Sequence, residues 1–256
     1  PLQSYDYKNG LLTDRIDYDK DAYTISKIIN TYTYEPTANK TSIRGVKIGL
    51  TLNGFCGQDA QFGETQYFYT TEWFYLSQTK TQIYNTDHSG AYIETVSDYF
   101  YENPAHIQLT KEVTTNSNGD VYTTRRKYPN DYSPTIAATN AMAKALYQMA
   151  NTKHIHNPVI EEFISLTKSG SSTEKVIGGT ISEFKVQGSN VILNSKVYQL
   201  ETAAPLTLNT AFTPSTVTSN VFVADNKYIL KLTYEGYDTK FNLTQVSRPD
   251  DVSTSF

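Results

Sequence analysis

The 256-residue chain holds one cysteine, one tryptophan and two methionines. Cys56 has no second thiol to bridge to, so no disulfide closes within the chain. Excess positive charge is missing as well. Twenty-two Lys and Arg stand against 26 Asp and Glu, a net charge of −4. That is not the basic footprint of a nucleic-acid binder, and no nucleic-acid partner is expected. No run approaches the roughly 20 apolar residues of a membrane-spanning helix, so no membrane span is expected. A Gly-rich phosphate loop, a Ser nucleophile elbow and a CxxC pair are all absent. These gaps remove the common signatures of catalysis; no cofactor is expected, and the chain reads as a non-enzyme.

What is plentiful is tyrosine, 21 residues against 11 phenylalanines. With abundant threonine this is a β-rich composition. Few Lys and Arg beside many Tyr, Thr, Asn and Ser fit an exported surface. The chain opens on Pro1 and ends without a recognisable terminus, and it reads as a segment of something longer.

The hydrophobic period is two over most of the length. Arg15-Ile-Asp-Tyr-Asp and Thr31-Tyr-Thr-Tyr alternate, as does the stretch 42–52, which places one row of side chains on each sheet face. Residues 65–76 form the most aromatic run, read as sheet with little room for solvent on one face. Asn9-Gly10, the segment 87–90, Asn116-Ser-Asn-Gly-Asp120, Ser169-Gly-Ser-Ser and Gly188-Ser-Asn are turn signals. The period changes once. Ala138, Met142, Ala145 and Met149 recur at spacings of four, three and four, with Leu146 beside them. Ser133-Pro134 has the pattern of a helix start, so one amphipathic helix is expected near 134–151, burying Met142, Leu146 and Met149. The expected fold is mostly β, with about fourteen strands in repeated antiparallel hairpins that form an extended, curled sheet. It divides into N-terminal hairpins (1–64), an aromatic-rich sheet (65–132), a helix insert (133–157) and C-terminal hairpins (158–256).

Several segments share one grammar: a strand ending in Tyr, then Asp or Asn, a short turn and an apolar return strand. Copies begin at Tyr5-Asp6, Tyr18-Asp19, Tyr84-Asn85, Tyr99-Phe-Tyr and Tyr237-Asp238. Asp bonds the turn amides, Gly suits the left-handed position and the ring packs on the next hairpin. Tyr237-Asp238-x-x-x-Asn242-Leu243-Thr244 resembles the YD repeat of RHS-type proteins, with Phe241 where that repeat usually has Gly. Trp73-Phe-Tyr-Leu, Tyr99-Phe-Tyr, Asn116-Ser-Asn-Gly-Asp, Arg126-Lys-Tyr-Pro-Asn-Asp-Tyr, Asn157-Pro-Val-Ile-Glu-Glu and Lys196-Val-Tyr-Gln-Leu-Glu occur in the order found in large YD-repeat surface proteins of Bacteroidetes bacteria. This resemblance spans roughly 65–250. It implies a β-sheet shell segment of an exported or cell-surface protein, with Tyr237, Asp238, Asn242 and Leu243 as structural residues. The partners it implies are the rest of the parent chain, export machinery and an enclosed C-terminal cargo such as a toxin.

Other candidates read more plainly as structure. Asp17-Tyr-Asp19-Lys-Asp21 has calcium-loop spacing, yet Ala22 and Ile28 occupy the places that need Gly and Glu. His154 and His156 lack a third ligand at a recognisable spacing, so no metal is expected. Glu161 and Glu162 are adjacent strand residues and face opposite ways, which prevents them from flanking one bond. Arg125, Arg126 and Lys127 are too few for a nucleic-acid surface. Cys56 reads as a small buried apolar residue. The alternative to a scaffold is a carbohydrate- or protein-binding module, with Trp73, Tyr75 and Tyr69 as its aromatic surface.

Overall fold

A computed structural model describes residues 2–4, 10–34, 41–51, 61–188, 191–249 and 254–255. The Tyr5 copy of the repeat and Cys56 lie outside the described residues. The chain forms two compact units, Pro1–Tyr92 and Ile93–Phe256. The segment boundary expected at 64/65 falls inside a strand.

The first unit contains β1 (Leu2–Ser4), β2 (Asp14–Tyr18), β3 (Thr24–Tyr34), β4 (Thr41–Thr51), β5 (Gln61–Thr71) and β6 (Phe74–Tyr84). β1 runs parallel to β5 and β4 antiparallel to it, while β6, β3 and β2 form an antiparallel ladder. The aromatic run spans two strands: pairing with β4 ends at Thr71, and Phe74 begins the ladder with Tyr34 of β3. Among the described residues of this unit no apolar side chain is fully buried; Thr70 and Gln82 are the buried ones. Among the described residues these sheets are held by ladders and cross-strand pairs.

The second unit holds β7 (Tyr92–Phe100), which begins at the boundary residue, then β8 (Lys111–Thr115), β9 (Val121–Lys127), α1 (Ala141–Tyr147), β10 (Glu161–Thr167), β11 (Lys175–Gln187), β12 (Val191–Leu200), β13 (Leu206–Thr207), β14 (Thr216–Thr218), β15 (Val221–Val223), β16 (Tyr228–Tyr237), β17 (Leu243–Ser247) and β18 (Thr254–Ser255). The sheet order is β18-β17-β16-β12-β11-β10-β9-β8-β7, antiparallel throughout, with β13 paired to β11 and β14 to β15. Consecutive strands are neighbours, as hairpin grammar requires. The exception is the 201–227 connection, which carries the three short strands.

The helix lies between β9 and β10 and packs on β11. Met142, Leu146 and Met149 are buried with Ile160, Phe163, Val176, Ile181, Leu200, Phe212 and Phe222 in one core. This is the burial expected from the spacing. Its start is not as expected: the helix begins at Ala141 rather than Pro134. Thr135 donates through its N–H and hydroxyl to Asn220 Oδ1, 2.9 Å each, which ties the stretch 133–139 to a distant loop. Asn140 is the cap instead; its Oδ1 accepts from the Ala143 N–H at 2.9 Å and its amide donates to Phe222 O at 3.0 Å. The end is a π-helical turn, Gln148–Lys153, closed by His154 in the left-handed region.

Candidate functional site

Two copies of the grammar, at Tyr18-Asp19 and Tyr237-Asp238, and the separate hairpin loop at Asn116 share one turn hydrogen-bond plan. The Tyr84-Asn85 copy does not, its Asn85 N–H reaching Ala91 O at 2.8 Å. At residues 19–23 the Asp19 N–H donates to Tyr23 O (2.9 Å) and the Ala22 N–H to Asp19 O (3.1 Å). Asp19 Oδ1 accepts from the N–H groups of Asp21 and Tyr23, both 2.9 Å. At 238–242 the same four bonds recur: Asp238 N–H to Asn242 O, Phe241 N–H to Asp238 O, and Lys240 and Asn242 N–H to Asp238 Oδ1 at 2.8 Å. At 116–120 they recur with Asn116 in the capping place. The fourth residue is left-handed in each, with φ of 65° at Ala22, 78° at Gly119 and 67° at Phe241. This is a three-residue hairpin loop with an αL bulge position. Phe241 and Ala22 hold this left-handed position without being glycine, while the loop at 116–120 has Gly119 there.

Tyr precedes the capping Asp in two of the three. The Tyr237 hydroxyl donates to Asn194 O on the neighbouring strand at 2.8 Å. Asn242 also donates its side-chain amide to Asp238 Oδ2 at 2.9 Å. That bond, with the Asn242 backbone N–H, holds the Asp238 carboxyl below the usual carboxylate range. Asp19 is lowered in the same way, chiefly by the Tyr23 N–H. His88 Nε2 lies 3.0 Å from Asp19 Oδ2, and its ring stacks on Tyr23 with centroids 3.8 Å apart.

The expected aromatic surface is only partly assembled. Trp73 and Tyr75 meet at 4.5 Å between centroids, tilted 32°, and both are half-buried. Tyr69 is 57% exposed and packs edge-on against Tyr67, opposite Ile43 in the ladder.

Sequence reasoning missed a polar network inside the second unit. Glu161, fully buried, accepts at Oε2 from the Ser215 N–H (2.7 Å) and hydroxyl (2.6 Å), and at Oε1 from the Tyr228 hydroxyl (2.9 Å). Because Ser215 spends its proton on Glu161, the Tyr132 hydroxyl donates to Ser215 Oγ at 2.7 Å. Lys127, cross-strand from Glu161, donates to Ser215 O at 2.6 Å. Burial, followed by the Glu161 charge, pushes both tyrosine hydroxyls well above their ordinary range. A cleft of about 480 Å³ lies alongside, lined in part by Glu102, Asn103, Arg125, Lys127, Asp131 and Phe163. The nearby histidine, His106, accepts from the Gln108 N–H through Nδ1, so Nε2 donates to Asp131. It has no part in the Ser215 network. A serine with no exposed surface and both hydrogen-bond roles filled is a structural latch, not a nucleophile. The signal available in sequence was Glu161 sharing its strand face with Phe163 two residues on.

The remaining candidates have structural partners. Asp17 accepts from Arg15 and Ser26, and Asp19 caps its turn. Among the described residues no group of three or more His, Cys, Asp and Glu side chains is placed to hold a metal ion. His154 and His156 have centroids 6.0 Å apart, and His156 Nδ1 bonds Asn130 Oδ1 at 2.5 Å. Glu162 points away from Glu161 and pairs with Arg126 at 2.7 Å, while Arg125 forks onto Glu174. Compared with family models and with curated proteins, the chain matches none.

Proposed function

We propose that this chain is a non-enzymatic structural segment of an exported RHS/YD-repeat protein. Its hairpins build a β-sheet wall that encloses a C-terminal cargo or displays a cell-surface module. The observation that carries the reading is the shared plan of the turns at 19–23, 116–120 and 238–242. The same turn occurs in three hairpins, and the Tyr-Asp pair sits at the same place in two of them. The first unit adds weight: the described apolar side chains of its sheets remain partly in water, a surface that neighbouring protein would cover. Partners are the rest of the parent chain and its export machinery. The test is topological. Antibodies against residues 93–256 should label intact source cells or their medium, and protease added outside should remove the cell-bound signal. Signal confined to the cytosol in lysed cells overturns the proposal.

A second reading is a carbohydrate- or protein-binding module, favoured by the exposure of Tyr69 and by the Trp73 and Tyr75 pair. The single tryptophan makes it testable, because glycan binding there quenches or shifts Trp73 fluorescence and binding elsewhere does not.

A further inference from the structure

β4 is eleven residues long, and among the described residues it pairs on one side only, with β5. Side chains alternate along it. Ile43, Gly45 and Lys47 share one face; Arg44, Val46 and Ile48 share the other. Ile43 and Ile48 are 63% and 70% exposed, and Val46 is exposed as well. Arg44 and Lys47 are exposed cations, and this strand has no acidic residue. Their cross-strand neighbours on β5, Phe68 and Thr65, are uncharged, and Glu64 is engaged by Gln66 at 2.8 Å. Among the described residues this is a long open edge whose cations face no carboxylate and lie between aliphatic side chains, and such an edge selects a particular guest. A second copy of β4 fits badly: antiparallel pairing centred on Val46 makes the two Lys47 side chains diagonal neighbours, roughly 7–8 Å apart.

We propose that the open edge of β4 docks an acidic, β-forming segment of another polypeptide, which joins the sheet as an added strand. The inference does not depend on the scaffold reading above. Register dictates the pattern. An antiparallel guest needs an acidic residue opposite Lys47 and another opposite Arg44, three positions on. It needs apolar residues opposite Ile48, Val46 and Ile43. The position opposite Gly45 is unconstrained on the near face, where the Tyr67 ring already lies over the glycine. Read from its N-terminus, the guest is Val-Glu-Val-Thr-Glu-Val in character.

The experiment is amide hydrogen exchange on the whole chain with an acetylated peptide carrying that sequence, and with its Val-Lys-Val-Thr-Lys-Val counterpart. The Glu peptide, at tenfold excess over its Kd, should slow exchange across 41–51 roughly tenfold, and the Lys peptide should not. The double variant Arg44→Glu/Lys47→Glu should reverse the preference, a swap that misfolding does not produce. Equal protection by both peptides, or none by either, overturns the proposal. Protection without peptide that grows with protein concentration assigns the edge to a second copy and overturns it too.

Discussion

Replacing Glu161 by Ala strikes the Ser215 latch at its centre. The carboxylate is fully buried and takes three hydrogen bonds, from the Ser215 N–H, the Ser215 hydroxyl and the Tyr228 hydroxyl. Without it three donors remain in the core, each costing about 1–3 kcal/mol if unpaired. Lys127 also loses the negative charge that Ser215 bridges to it. Relaxation shares the loss, so the expected destabilisation is about 3–5 kcal/mol, the scale seen when one partner of a buried charged network is removed. For a unit of this size that lowers melting by roughly 6–20 °C. Tyr228→Phe removes one donor and leaves Oε1 a partner short, about 1.5–3 kcal/mol. The two substitutions touch the same bond, so the double variant should fall short of their sum by about 0.5–3 kcal/mol. Trp73 lies in the other unit and does not report this loss; urea unfolding is followed by tyrosine near-UV circular dichroism, with hydrogen exchange at β10 amides. A Glu161→Ala protein within about 1 kcal/mol of the parent, or strict additivity with Tyr228→Phe, refutes the latch.

The tyrosines of the same network set an alkaline limit. Their folded pKa values are raised above the unfolded value of 10.0, first by burial and then by Glu161, so their contribution is complete below pH 10 and is lost as pH rises beyond it. Tyr132→Phe should flatten that limb in a urea series at rising pH. Glu183 is the reverse case for a carboxylate: burial raises its pKa above 4.5, so its ionisation opposes folding at neutral pH. Glu183→Gln should stabilise the protein at pH 7 and have no effect at pH 3, measured by thermal melting at both. Ala22 has φ of 65° in an exposed turn, so Ala22→Gly should stabilise the β2 and β3 hairpin by about 0.5–1 kcal/mol, while Gly119→Ala in the equivalent place destabilises its hairpin by at least as much, because its Cβ also meets Ser169 Oγ at 2.9 Å. Met142→Ala and Leu146→Ala should each cost about 2–5 kcal/mol in urea unfolding, since both side chains are buried in the core; unchanged midpoints would contradict that packing.

Local chemistry wrote much of this fold legibly into the chain. Alternation separated Glu161 from Glu162 onto opposite faces, where one is fully buried and the other pairs with Arg126. The Asp or Asn at 19, 116 and 238 marked its turn, because a side-chain oxygen two and four residues from the amides it accepts needs nothing else in the protein. The spacing of Met142, Leu146 and Met149 named the buried helix face. Where contacts come from far along the chain, the same reasoning fails. Ser133-Pro134 has the composition of a helix start, yet Thr135 reaches Asn220, 85 residues away, and Asn140 caps instead. Nor does the aromatic run 65–76 mark by itself the division at Glu72 and Trp73, where β5 and β6 take different partner strands.

Side-chain period, turn residues and helix spacing, all set by neighbours within a few residues, were enough to make this a hairpin protein with one buried helix. Which sheet face acquired a core, and that Glu161 would be held by Ser215 and Tyr228, 54 and 67 residues on, was decided only when distant strands came into register. A buried carboxylate becomes tolerable only once its donors have been delivered by the rest of the fold, and no local pattern encodes that delivery.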